Sequence, residues 1–357
     1  MLASEKEPSW REIIKAVSLF IFGFLLVASL LHIAIRDPLY LHADMRSEKL
    51  VMLKRLKSQV SSAVFGSSHV HNGFDPRAFD RVLAGSPAQT RTVNLAIMGG
   101  SQSEQRSMAL EFLRNLQAPP DNTACLVILE LNAGANFQNA HLVHPRSINI
   151  YDWPTVRFIS RLKNTDMGFT QQAGRIGFAF IAGILHYANV GMLSDKIIAP
   201  PVDAAMMEHD TEEDRRGEDV LAYDPQTGAE ESKMMAQEQG QFKLNAPEMY
   251  PGNYELIDEL AASSPVSNVS FVYFVYPKLT DVSGTFNYPS EIVTPRGHTV
   301  PIIDLARPDR FPSFYQTKFW HDEAHLDEQG AARVSEVFAQ QLMAWYTAHG
   351  APQRCGG

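Results

Sequence analysis

Two serines and two histidines lie together in the stretch FGSSHVHNGFDP, residues 65–76, which continues an apolar run. A serine on a tight turn at the end of a strand can act as a nucleophile, and both Ser67 and Ser68 are candidates. His69 and His71 have the spacing of a first pair of metal ligands, and imidazole is the commonest metal-binding side chain. A polar loop without chemistry is the third interpretation.

A carboxylate and an imidazole lie close together near the other end of the chain, in FWHDEAHLDEQGAARVSE, residues 319–336. Asp322 and His325 are three residues apart. A serine nucleophile requires a base that takes its proton and a third group that orients this base. The pair supplies both partners, and it therefore favours acyl transfer over the other two interpretations.

The metal interpretation corresponds to the H-x-H motif of metal-dependent amidohydrolases. Their barrel requires eight strand–helix units and further ligands at the strand ends. The sequence contains about five strand-like runs, and several other histidines fall in predicted loops or in a predicted insertion: His141, His144, His186 and His298. We therefore expect no metal and no cofactor, and we interpret His69 and His71 as loop residues at the mouth of the site.

Apolar runs that alternate with helical patterns must position these groups. The predicted strands are residues 61–66, 91–97, 124–132, 269–277 and 300–306. A helix with a capping box, Ser101 and Glu104, follows the second run, and an amphipathic helix closes the chain. This alternation predicts a three-layer α/β/α domain with a sheet of about five parallel strands.

The chemically useful residues all follow predicted strands. Ser68 comes after the first strand, Gly99 after the second, and Asn132 or Asn136 after the third, while the Asp322–His325 pair follows the last. In an open α/β sheet, ligands gather beyond the carboxyl ends of the strands. A nucleophile, oxyanion donors, a base and its orienting group are therefore expected at one edge of the sheet.

The order of these motifs resembles that of the SGNH (GDSL-type) hydrolase superfamily. It runs G-x-S, then Asn94 five residues before Gly99, then an asparagine after a buried strand, then D-x-x-H-L. The resemblance covers roughly residues 60–132 and 266–347. It implies a flavodoxin-like sheet.

The resemblance also implies a role for each matched residue. Ser68 matches the nucleophile, His325 the base and Asp322 the orienting carboxylate. The backbone N–H groups of Ser68 and Gly99 and the side-chain amide of Asn132 match the oxyanion hole. Two departures stand out: Ser67 occupies the place of the family's aspartate, and ELNAGAN replaces G-x-N-D, which leaves Asn136 as the alternative amide donor.

The first 60 residues differ from the rest in hydropathy. Residues 1–15 form a short tail, and AVSLFIFGFLLVASLLHIAI, residues 16–35, contains no charged residue. Twenty such residues predict a single-pass transmembrane anchor, with a buried core helix or a signal peptide as alternatives. Residues 36–60 are interpreted as a juxtamembrane helix or linker. Basic residues flank the apolar run on both sides, so charge does not decide its orientation.

The sheet domain is predicted to consist of residues 61–134 and 266–350. Residues 135–265 interrupt the alternation and are predicted to be a helical and loop insertion, or cap, over the strand ends. The insertion contains an apolar piece, residues 176–185, which is too short to span a bilayer.

Composition limits the partners. The chain has a formal net charge of −9 and no basic surplus, which argues against a nucleic-acid partner. Its only two cysteines, Cys125 and Cys355, are not spaced like a disulfide framework and leave the compartment undecided.

The anchor and the motifs together resemble the membrane-anchored branch of the superfamily, which works beside polytopic membrane-bound O-acyltransferases on envelope polymers. This resemblance implies an O-acetyltransferase or acetylesterase outside the cytoplasmic membrane, on the periplasmic side. Its substrate would be an envelope polysaccharide or a small acylated molecule. The alternatives are a membrane-tethered carboxylesterase or lipase, and a non-catalytic scaffold that binds a glycan or a membrane partner.

Overall fold

A six-stranded, mostly parallel β-sheet forms the centre of the computed structural model. The structure describes residues 9–34, 45–56, 59–117, 123–131, 148, 150–162, 168–188, 216, 221–222, 242–246, 249–352 and 354–355. The strands of this sheet are β1 (Ser62–Phe65), β2 (Thr92–Asn94), β3 (Leu126–Glu130), β5 (Ser270–Val275), β7 (Glu291–Val293) and β8 (Thr299–Asp304). Two shorter strands, β4 (Leu244–Asn245) and β6 (Thr285–Phe286), pair with each other.

The strand order in the sheet is β2-β1-β3-β5-β8-β7. The first five of these are parallel and correspond to the five predicted runs, so the mixed α/β class with a largely parallel sheet is confirmed. Strand β7 was not predicted. It runs antiparallel to β8 and closes one edge of the sheet.

Helices cover both faces of the sheet. On one face, the core includes side chains of α2 (Met45–Leu56), α5 (Gln102–Asn115), α6 (Trp153–Arg161), α7 (Phe169–Tyr187) and α8 (Pro251–Ser263). On the other face, it includes side chains of α3 (Ser68–Gly73), α4 (Pro76–Leu83) and α9 (Glu328–His349). Successive residues of β1 and β3 alternate between the two cores, which is why these strands are apolar throughout.

The predicted capping box of α5 is confirmed. Ser101 Oγ accepts the N–H of Glu104, and Glu104 Oε2 accepts the N–H of Ser101 at 2.8 Å. Helix α5 therefore begins immediately after the turn that contains Gly99 and Gly100.

The N-terminal helix α1 spans Trp10–Ala34 and contains residues 16–34 of the apolar run. Within the part of the chain that the structure describes, no helix is both long and apolar enough to cross a membrane. The predicted transmembrane anchor is thus not supported. Large apolar side chains of α1, including Leu19 and Phe20, are exposed.

Only parts of the predicted insertion, residues 135–265, belong to the described residues. Helices α6 and α7 pack against each other, with Val156 close to Gly183. Helix α8 lies at the end of the range and contributes Leu256, Ile257 and Leu260 to the core beside α5. This last piece is thus part of the sheet domain's packing.

A disulfide connects Cys125 with Cys355 across 230 residues of sequence, with their Cα atoms 5.1 Å apart. Cys125 directly precedes β3, and the neighbouring residues Ala124 and Arg354 form an antiparallel bridge. The C-terminal tail is thereby attached to the central sheet. The two cysteines are distant in sequence, and only the fold reveals the pair.

We predict that Cys355→Ser lowers the free energy of unfolding by about 2–4 kcal/mol, because the crosslink restricts the unfolded chain. Denaturant unfolding of the oxidised proteins measures the difference. In a reducing buffer, wild type and variant should unfold at the same denaturant concentration. Two free thiols in the denatured, unreduced wild-type protein would contradict the pairing.

Candidate active site

The first serine stretch forms a sharp strand-to-helix turn. Strand β1 ends at Phe65, and α3 begins at Ser68 with Ser67 as its N-cap residue. Gly66 between them must be small, since a Cβ atom there would meet Glu130 Oε2 at 2.6 Å. Ser68 therefore emerges at the carboxyl end of the sheet, where ligands of α/β folds collect.

Ser68, His325 and Asp322 form a continuous chain of hydrogen bonds. Ser68 Oγ lies 2.9 Å from His325 Nε2, and His325 Nδ1 lies 2.7 Å from Asp322 Oδ2. Residues separated by more than 250 positions in sequence thus meet with the geometry of a nucleophile, a base and an orienting carboxylate. The side chains of His325 and Asp322 are 22% and 38% exposed, so the arrangement is open to solutes.

The loop that carries the base is itself fixed. Asp322 Oδ1 accepts the backbone N–H groups of Ala324 and His325, each at 2.8 Å. Burial raises the pKa of Asp322, but these hydrogen bonds and the imidazole lower it more, and the net pKa lies below its usual value. Asp322 is therefore ionised at neutral pH, as an acceptor for His325 Nδ1–H must be.

The turn that contains Gly99 lies beside the nucleophile turn. Ile97 N–H donates to Gly66 O, and a Cβ atom on Gly100 would meet the same carbonyl at 2.8 Å. Gly99 has a φ of 62°, a left-handed conformation that favours glycine. The structure thus brings two of the three predicted oxyanion residues, Ser68 and Gly99, to neighbouring turns.

The predicted amide donor Asn132 and its alternative Asn136 lie outside the described residues. Asn94, matched only as part of a spacing pattern, has a defined place instead. Its buried side-chain amide donates to the carbonyls of Val70, His71 and Phe74. Asn94 therefore holds the end of the short helix that begins with Ser68.

An unpredicted network surrounds Ser67. Glu130, the last residue of β3, accepts the N–H of Ser67 at 2.5 Å and its hydroxyl at 3.2 Å. His69 Nδ1 lies 2.9 Å from Ser67 Oγ and 3.2 Å from Glu130 Oε1. Both of these contacts use the same ring nitrogen, so His69 cannot relay a proton from Ser67 to Glu130 in the manner of a triad.

Glu130 belongs to this candidate site but was not predicted from the sequence. The side chain is only 6% exposed, yet it is an acid at the end of an apolar strand. Burial raises the pKa of Glu130, but the hydrogen bond and charge of His69 and the bonds from Ser67 lower it more, leaving it below its usual value. One feature of the sequence could have pointed to Glu130: it is an acidic residue at the end of a buried strand, at the edge of the sheet where ligands bind.

The positions of His69 and His71 do not support the interpretation of these residues as metal ligands. The Nδ1 atom of His69 is engaged by Glu130 and Ser67, and His71 is 1% exposed in the packing of α3. Among the described residues, no group of three or more His, Cys, Asp or Glu side chains could hold a metal ion.

A half-buried pair of acidic residues, Asp281 and Asp304, lies next to the base loop. The short helix Leu279–Val282 is joined to this loop by a bond from Leu279 N–H to Glu323 O. Burial raises the pKa of Asp281 to about 7 and that of Asp304 to about 6, and the charge of Asp304 raises the pKa of Asp281 further. Asp281 also accepts the Lys278 N–H at 2.6 Å, a bond that favours its ionised form.

We predict that Asp281→Asn stabilises the protein at pH 8 by on the order of 1–3 kcal/mol and changes little at pH 5. An unfolded aspartate titrates near 4, so between pH 4 and 7 the folded state holds more protons and loses stability as pH rises. Asparagine keeps an oxygen acceptor for Lys278 and does not ionise. Denaturant unfolding across this range is the measurement, and an unchanged pH dependence in the variant would contradict it.

Compared with models of known protein families, the chain matches none, and no curated protein matches it. The resemblance to the SGNH superfamily therefore stays a prediction that rests on the quoted motifs.

Proposed function

We propose that this protein catalyses serine-dependent acyl transfer, as an O-acetyltransferase or acetylesterase, through an acyl-Ser68 intermediate. The observation that carries the proposal is the hydrogen-bonded chain from Ser68 Oγ through His325 to Asp322. The Ser67–His69 contact offers no competing nucleophile, because it uses the same ring nitrogen that faces Glu130.

In the proposed reaction, Ser68 Oγ attacks the carbonyl carbon of the acyl donor while His325 Nε2 takes the hydroxyl proton. The negative oxygen of the tetrahedral intermediate accepts the backbone N–H groups of Ser68 and Gly99. His325 returns the proton to the leaving alcohol as the carbon–oxygen bond breaks. An acceptor hydroxyl or water then attacks acyl-Ser68, again with His325 as the base, and frees the serine.

The polymer substrate is the more specific part of the proposal. The motif resemblance, together with the apolar N-terminal helix, favours an acceptor such as an envelope polysaccharide, with a polytopic membrane-bound O-acyltransferase as the upstream partner. The same intermediate serves hydrolysis when water is the acceptor. A general carboxylesterase and a non-catalytic scaffold are the competing outcomes.

We also propose that the protein works at the outer, periplasmic face of the cytoplasmic membrane. Two features support this location. The side chains of Leu19 and Phe20 on α1 are 71% and 74% exposed, and apolar surface of this kind associates with lipid. The Cys125–Cys355 disulfide suits an oxidising compartment, since thiols in the cytosol are kept reduced.

The test of the function combines a covalent probe with a substrate series. A fluorophosphonate should label wild-type protein, and peptide mapping should locate the adduct on Ser68. Acetyl esters should then react faster than long-chain esters, and a glycan acceptor should increase acyl release from an acetyl donor. Absence of labelling would leave only the scaffold, whereas a preference for long chains would indicate a lipase-type esterase.

Location has its own test. Alkaline phosphatase folds to an active form only in an oxidising compartment, so a fusion after residue 60 reports sidedness. We expect an active enzyme. An inactive phosphatase, together with an active cytoplasmic reporter at the same position, would place the domain inside and reject the envelope-glycan substrate.

A further inference from the structure

We infer that Glu130 and His69 form a positioning pair that orients the catalytic imidazole and supports its positive charge during turnover. The inference rests on the proposed function, because it assigns to the pair a role in the reaction of Ser68 and His325. Neither residue belongs to the Ser68–His325–Asp322 chain, and both lie directly beside it.

The first observation is the position of Glu130. This carboxylate ends β3, next to β1 in the sheet, and accepts both the N–H and the hydroxyl of Ser67. Ser67 is the residue immediately before the nucleophile. A side chain from the neighbouring strand therefore fixes the turn on which Ser68 stands, and Gly66 leaves the room that this approach requires.

The second observation is the orientation of His69. A carboxylate can only accept hydrogen bonds, so the Nδ1 atom that faces Glu130 carries the proton. The same N–H also points toward Ser67 Oγ, which in turn donates to Glu130. The Glu130 carboxylate thus holds one edge of the His69 imidazole, and the faces of this ring can pack against other rings.

The third observation is a stack of three rings. The ring of His69 stacks on those of Tyr276 and His325, with centroids 5.8 Å and 5.6 Å away and planes tilted by 22° and 27°. Tyr276 is buried and packs against Gly73, where any side chain would collide with it. Because Tyr276 is buried, the stack is anchored in the core. His69 packs against the ring of His325, and Asp322 binds the Nδ1 edge of the same ring.

These contacts have an electrostatic consequence. His325 becomes an imidazolium when it takes the proton of Ser68, and an adjacent negative charge stabilises that form. Among the described residues, the titratable groups in this set of contacts are Asp322 at its Nδ1 edge, His69 stacked on its ring, Glu130 bonded to His69, and Tyr276 stacked on His69. Burial keeps Tyr276 neutral by raising its pKa, so Glu130, which is connected to His325 through the His69 ring, is the second carboxylate of this cluster.

The experiment measures the pKa of His325 directly and through catalysis. Glu130→Gln keeps an oxygen acceptor for Ser67 and removes the charge. We expect the acidic limb of the kcat/KM profile to move to lower pH in this variant, and the NMR titration of His325 to move in the same direction. We also expect kcat to fall about tenfold. An unchanged pKa and profile would overturn the inference.

Two substitutions of His69 separate stacking from charge and keep the test independent of any misfolding of Glu130→Gln. His69→Phe retains a ring that can stack on Tyr276 and His325, and we expect it to keep several-fold more activity than His69→Ala. Equal activity of His69→Ala and wild type would contradict the positioning role.

Failure of the proposed function gives a different result. If the wild-type protein cleaves no ester and takes no fluorophosphonate, the acyl-transfer proposal fails. The NMR titration of His325 in wild type and Glu130→Gln still decides whether the pair sets the charge of that imidazole.

Discussion

Ser68→Ala should reduce kcat/KM for acetyl-ester cleavage by about 10⁴-fold or more, since removal of a nucleophile that acts together with its base removes most of the catalysis. Ser68 Oγ is the atom that His325 Nε2 contacts at 2.9 Å, and no other serine hydroxyl among the described residues is bonded to that nitrogen. The fold should persist, with a change in unfolding free energy within about 1 kcal/mol.

The adjacent serine provides the matched control. Ser67→Ala removes a hydroxyl from the same turn but keeps the N–H that Glu130 accepts, so we expect at most about a tenfold loss in kcat/KM. Hydrolysis of p-nitrophenyl acetate by both variants is the measurement. A fully active Ser68→Ala protein beside an inactive Ser67→Ala protein would show that Ser67, and not Ser68, is the nucleophile.

The parallel part of the fold was predictable because its strands are buried on both faces. Strand β3, with the sequence LVILE, is buried at every position, and such a run has few alternatives to a central strand. Strand β7 escaped prediction because it has only three residues, of which just the central Ile292 is buried. A short edge strand of this kind carries no periodic signal.

The candidate nucleophile, base and orienting carboxylate could be predicted because residue type and spacing are enough to suggest these roles. A serine after a strand suggests a nucleophile, and a D-x-x-H pair suggests a base with its orienting carboxylate. The choice between Ser67 and Ser68 depends on the direction of each side chain at the turn, which spacing alone does not settle. The place of Glu130 depends on the pairing of β1 with β3, a contact between residues more than 60 positions apart.

His69 shows why a motif can be read in two ways. In sequence, His69 and His71 alternate like ligands that share a metal, but both belong to the short helix α3 rather than to a strand. Residues two apart on a helix point in different directions. The two imidazoles therefore diverge, one toward Glu130 and His325 and the other into the packing of α3.

Asp322→Asn should be more damaging than Asp322→Ala, although asparagine is the closer match in shape. Asp322 Oδ1 accepts two backbone N–H groups, from Ala324 and His325, and an asparagine oxygen would remain there to satisfy them. Its NH₂ group would then occupy the place of Oδ2, which lies 2.7 Å from His325 Nδ1. Because an amide N–H can only donate, His325 would have to carry its proton on Nε2 and could not accept one from Ser68.

We therefore expect kcat/KM to fall by about 10³–10⁴-fold in Asp322→Asn and by less in Asp322→Ala, in which the imidazole can choose its tautomer. His325→Ala should be as severe as Ser68→Ala, because these two side chains act as a unit. Nitrogen-15 NMR of His325 identifies the protonated ring nitrogen in each protein. An Asp322→Asn protein that retains the Nδ1–H tautomer, or that is more active than Asp322→Ala, would show that Asp322 does not act by orienting the base.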